Sequence, residues 1–99
     1  MIQLAFMTLN RKIIKFSVEN KLVKYYDDNW SEGIQIYPMD RLLVKRMALS
    51  RKESLRRTAD LIAEANFGKN LEQYESCKTD KEIAELIRTD CKMKGLREI

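Results

Sequence analysis

The sequence predicts an α+β domain, an N-terminal antiparallel β-meander of three to four short strands packed against three to four C-terminal helices. Three observations carry that expectation. In the first strand Ile2, Leu4 and Phe6 alternate with Gln3, Ala5 and Met7, a period of two. From Pro38 onward the apolar residues recur at helical spacing instead. Capping signatures punctuate that second part, at Ser50-Arg51-Lys52-Glu53 and Thr79-Asp80-Lys81-Glu82. The 99 residues make one small domain, long enough for a single core.

In chain order, Ile2 to Met7 is the first strand and Asn10-Arg11 turns the chain. Lys12 to Val18 returns with Ile14, Phe16 and Val18 on one face, and Ile13, Lys15 and Ser17 on the other. Glu19-Asn20 suits a hairpin turn, because asparagine tolerates positive φ. Leu22 to Tyr26 reads as a third strand. Leu22, Val23, Tyr26 and Trp30 also fit helical spacing, so a helix from Lys21 to Trp30 is the alternative. Asp27 to Gly33 is a polar turn, and Ile34 to Tyr37 a short strand.

Pro38 fits a first helical turn, and Met39, Leu42, Leu43 and Met47 carry that helix to Ser50. A second helix follows, with Leu55, Thr58, Ala59, Ile62, Ala63 and Asn66 inward. Gly68 is expected to end it in the left-handed conformation. Asn70 is expected to cap a short helix from Leu71 to Cys77, with Gln73 in the reciprocal position. The last helix buries Ile83, Leu86, Ile87 and Cys91 and ends at Gly95. The tail from Leu96 to Ile99 is expected to fray unless Leu96 docks.

Charge is unevenly spread. Asp40 to Arg57 holds Arg41, Lys45, Arg46, Arg51, Lys52, Arg56 and Arg57 against Asp40 and Glu53, a surplus of five cations. Thr58 to Asp90 holds four cations against eight acids. A concentrated cationic surface is the footprint of a phosphate-backbone binder. A charged face that is merely solvated, partly neutralised by pairs such as Glu53–Arg57, is the competing reading.

Several chemistries are excluded. The chain has no histidine, which removes histidine-based triads and most catalytic zinc sites. Its three glycines are too widely spaced for a phosphate-cradling loop. Two cysteines cannot build a four-thiolate site, and Cys77 and Cys91 are expected to be reduced. Asp27, Asn29 and Ser31 begin a calcium-loop pattern, but Glu32 and Pro38 stand where glycine and the bidentate acid belong. Glu19-Asn20-Lys21 has a nuclease-like spacing without a second acid to share a metal. No enzyme activity, cofactor or metal is expected. No apolar run is long enough to span a bilayer, and no leader is visible, so an intracellular location is expected. The Lys/Glu/Arg-rich composition is compatible with a heat-stable surface.

Ile34-Gln35-Ile36-Tyr37, a helix, and then Leu49-Ser50-Arg51-Lys52-Glu53-Ser54-Leu55-Arg56 resemble a ribbon-helix-helix DNA-binding module. The resemblance covers about residues 33–63. It implies a homodimer whose paired strands enter the major groove, with Gln35 and Tyr37 as readers and Ser50, Arg51 and Lys52 on phosphate. The family's turn glycine is missing, with Ala48 nearby, and the first helix is about one turn short. In general character the chain also looks like the small basic proteins of archaeal filamentous viruses, for which the location would be the host cytoplasm, although no motif carries that likeness.

The expected function is therefore a small non-enzymatic duplex-DNA binder. Its candidate contacts are Gln35, Tyr37, Arg41, Lys45, Arg46, Ser50, Arg51, Lys52, Arg56 and Arg57. The alternative is a protein-interaction adaptor or inhibitor using an acidic surface, or an exposed patch of Tyr25, Trp30 and Tyr37.

Overall fold

A computed structural model of the protein describes residues 1–38 and 53–99, with side chains from residue 57 onward in the second span. The described fold is α+β, one antiparallel sheet with helices on one face. Strands β1 (Ile2–Met7), β2 (Ile13–Glu19), β3 (Leu22–Tyr26) and β4 (Ile34–Tyr37) form a meander. Helices α1 (Glu53–Phe67), α2 (Leu71–Ser76) and α3 (Asp80–Met93) follow. A final strand, β5 (Arg97–Glu98), completes the sheet order β4-β3-β2-β1-β5.

Each hairpin has a local cause. Between β1 and β2, Thr8 N donates to Lys12 O and Arg11 N to Thr8 O, while Arg11 takes φ 59°. That is a three-residue loop closed by a left-handed residue. Between β2 and β3, Asn20 and Lys21 both have positive φ, 51° and 61°. This is the mirror-image two-residue turn whose twist matches its strands. It settles Leu22–Tyr26 as strand.

Alternation then sorts the side chains. Leu4, Phe6, Phe16, Val18, Val23 and Ile34 point inward and are buried. The helices meet them there. From α1 come Ala59, Ala63 and Phe67; from α2, Tyr74; from α3, Ile83, Ala84, Ile87 and Cys91. Phe67 and Tyr74 pack edge to face at 4.4 Å between ring centroids, an arrangement favoured by the ring quadrupoles.

Helix ends mix the expected with the unexpected. Thr79 Oγ1 accepts from Glu82 N as a cap should, but Glu82 reaches back to Lys78 N, one residue upstream of the reciprocal position. Asp80, in the first turn of α3, accepts from Asn20 N and Lys21 N, at 3.0 and 2.7 Å. Gly95 has φ 82° and donates to Lys92 O, while Leu96 N donates to Cys91 O, the two-bond motif that closes α3.

Gly68 departs from expectation, because its φ is not positive. Its reason is contact, since an added Cβ would lie 2.5 Å from Glu64 O. Asn70 makes no side-chain cap; its amide donates to Asp90, which also accepts from buried Tyr74. The tail is ordered as β5, with Glu98 held by Arg88 at 2.8 Å and Ile99 N bonded to Ala5 O. The helix expected from Pro38 to Ser50 and the Leu55 side chain lie outside the described residues, and Pro38 itself sits in a bend after a cis peptide.

Candidate nucleic-acid interface

Among the described residues, the helices cover the inner face of the sheet alone. On the outward face the registers assemble rows of side chains across the strands. Gln3 pairs with Ser17, Ser17 with Lys24, and Lys24 with Gln35. The next row joins Ala5, Lys15 and Tyr26. Beyond it, Met7 lies between Ile13 and Arg97. Lys15, Lys24 and Arg97 are exposed, and Glu19 is the acid in these outward strand positions. Among the described residues, neither lysine has a carboxylate within ion-pair distance.

Tyr26 is held in place from two sides. Its hydroxyl lies 3.4 Å from Ser17 Oγ, and Ser17 is itself buried. Its ring lies against Gly33, where an added Cβ would come 2.6 Å from Tyr26 Cε1. Gly33 also has φ 87°, so the position excludes a side chain twice over. A cavity of about 530 Å³ beside the ring is lined by Gln3, Ala5, Lys15, Ser17, Tyr26 and Ile99 among others.

The sequence-predicted contacts are only partly placed. Gln35 is on the outward face of the edge strand, next to Lys24. Tyr37 is not. The β3–β4 register runs Val23↔Tyr37 and Lys24↔Gln35, so Ile36 is an extra residue on β4. That bulge turns Tyr37 inward. Its ring packs 5.2 Å from Phe67 and 6.0 Å from Tyr74, with 7% of the residue exposed. Arg57 is exposed on α1, and the side chain of Arg56 lies outside the description. Arg41, Lys45, Arg46, Ser50, Arg51 and Lys52 lie outside the described residues altogether.

The ribbon-helix-helix likeness implied a strand that pairs with a dimer mate. Here β3 already occupies one edge of β4, whose other edge is the rim of the sheet among the described residues. The aromatic patch imagined for an adaptor is dispersed as well. Tyr37 is in the core, Tyr25 packs edge-on against Phe16, and Trp30 is half-buried above an Asp27 turn. That turn spends an Asp27 oxygen on the amides of Asn29 and Trp30.

Sequence reasoning missed Lys15, Lys24, Tyr26 and Arg97. The alternation placed Lys15 and Ser17 together, but only the cross-strand register brings them beside Lys24 and Tyr26. Both cysteines are free and buried. Among the described residues no group of three or more acidic or cysteine side chains could hold a metal, and no helix is long and apolar enough to cross a membrane. Comparison with protein-family models, curated proteins and solved structures finds no match for the chain.

Proposed function

We propose that the protein is a non-enzymatic DNA-binding protein. The observation that carries the reading is the placement of Lys15, Lys24 and Arg97, spread from β3 to β5, on one sheet face that no described element covers. The helical layer on the other side is acid-rich. From Arg57 to Met93 the chain has six cations against eight acids, whereas residues 1–26 have five cations against one. The basic stretch from Arg41 to Arg57 adds to the cationic share and supplies a second set of phosphate contacts in this reading. Such separation raises the local concentration of a polyanion at one side of the molecule.

The test is a fluorescence-anisotropy titration with labelled 20-nucleotide single strands and duplexes of about that length at ~50 mM salt, where phosphate contacts are strong. Binding should fall steeply as salt is added, and Arg51→Glu with Lys52→Glu should abolish binding to the duplex. Absence of binding to either form at low salt would overturn the reading.

A further inference from the structure

We infer that the outward sheet face is the site for a single DNA strand, with Tyr26 as the stacking platform and Lys15, Lys24 and Arg97 on its phosphates. The inference rests on the DNA-binding reading and adds the strand state and the residues. Three observations support it.

The first is width. Five strands at about 4.8 Å spacing make a face roughly 19 Å across, and the B-form major groove is about 12 Å wide. The face as a whole cannot enter a duplex groove. A single strand lies flat on it.

The second is the aromatic. Tyr26 is half-buried, backed by Gly33 and tied near Ser17, so its ring is fixed before any ligand arrives. A fixed ring loses little freedom when a base stacks on it. An unpaired base presents its flat side to such a ring, whereas a base inside a duplex is already stacked on both sides.

The third is the surroundings. Lys15 stands opposite Tyr26 and Lys24 two residues before it on β3, while Arg97 lies on β5 at the far side of the face. None has a carboxylate partner among the described residues, and Gln3 and Gln35 offer amides in the adjacent row. Ile13 and Ile99 are large apolar side chains left exposed on the same face, at 44% and 66%. Cations, amides and apolar surface around one aromatic suit the mixed polar and flat chemistry of a nucleotide strand.

The experiment compares the unaltered protein with Lys15→Glu/Lys24→Glu, Tyr26→Leu and Arg51→Glu/Lys52→Glu, using labelled single-stranded DNA, matched RNA and duplex. Circular dichroism first confirms that each variant is folded. With three phosphate contacts, log affinity for the single strand should fall with log salt at a slope of about −2, roughly sixteenfold between ~50 and ~200 mM. Lys15→Glu/Lys24→Glu should reverse this attraction, and Tyr26→Leu should weaken single-strand binding roughly tenfold while duplex binding changes little. Photocrosslinking of the unaltered protein to a 5-iododeoxyuridine strand, with the crosslink at Tyr26, gives a readout that needs no variant.

If DNA binding is lost only in Arg51→Glu/Lys52→Glu, the DNA-binding reading stands and the sheet-face site falls. If RNA binds tenfold more tightly than DNA, the assignment of the occupant falls. A crosslink mapped to the helices overturns the site as well.

Discussion

Cys91 faces the core from α3, 1% exposed, and burial pushes its thiol up to about 11 from an ordinary value of 9.0. Burial, with a hydrogen bond to Asp90, likewise raises the Tyr74 hydroxyl. The folded chain thus holds these protons more tightly than the unfolded chain. Stability from the thiol is complete below the unfolded value and is lost as pH rises through the folded one. Unfolding free energy should be flat to about pH 8 and fall by on the order of 2 kcal/mol from this group by about pH 11. Urea titrations of Cys91→Ala should show a shallower decline over that window, and an identical decline would contradict the burial argument. At this scale the sequence was partly readable. It marked Cys91 as inward by spacing, but Tyr37 followed a bulge that leaves no mark in the residue types. Ile36 could have stood in regular alternation, with Tyr37 outward.

At the scale of elements, one side chain joins the most distant parts of the chain. Asp80 opens α3 and accepts both turn amides of the β2–β3 hairpin, a contact across about sixty residues of sequence. The hairpin amides would otherwise face only water, and the carboxylate also suits a helix N-terminus. Asp80→Ala should lower stability by roughly 1–2 kcal/mol, as expected for two charge-assisted bonds at an exposed site. Chemical denaturation measures this, and an unchanged midpoint would mean that the clamp contributes nothing. The turn of that hairpin is Asn20-Lys21 and not Glu19-Asn20, because Glu19 still pairs with Leu22. Elements with local causes were otherwise legible: the hairpin at Asn20, the Thr79 cap and the Gly95 stop. Those with tertiary causes were not. β5 is two residues long and carries no periodic signal; it exists because β1 offers an open edge and Arg88 fixes Glu98. Asn70 looked like a cap because its residue type favours one, but its side-chain NH2 donates to the Asp90 carboxylate beside buried Tyr74, and its oxygen caps no helix amide.

For the whole molecule, the two layers divide the labour. Among the described residues, helices fill the inner face of the sheet and carry much of the acid, and the outward face presents Lys15, Lys24, Tyr26 and Arg97. The two-layer arrangement was legible from the switch in periodicity. The outward face was not, because polar positions of a strand read as solvated until the register shows which of them are neighbours. The basic residues from Arg41 to Lys52 were conspicuous in sequence and lie outside the described residues, so the functional reading rests structurally on the sheet. The most direct measurement is a ¹H–¹⁵N NMR titration with a single-stranded DNA 10-mer. The largest amide shifts should fall on Lys15, Ser17, Lys24, Tyr26 and Gln35, with α2 and α3 nearly silent. Shifts centred on Leu71–Met93, or none at saturating oligonucleotide, would contradict a polyanion-binding sheet.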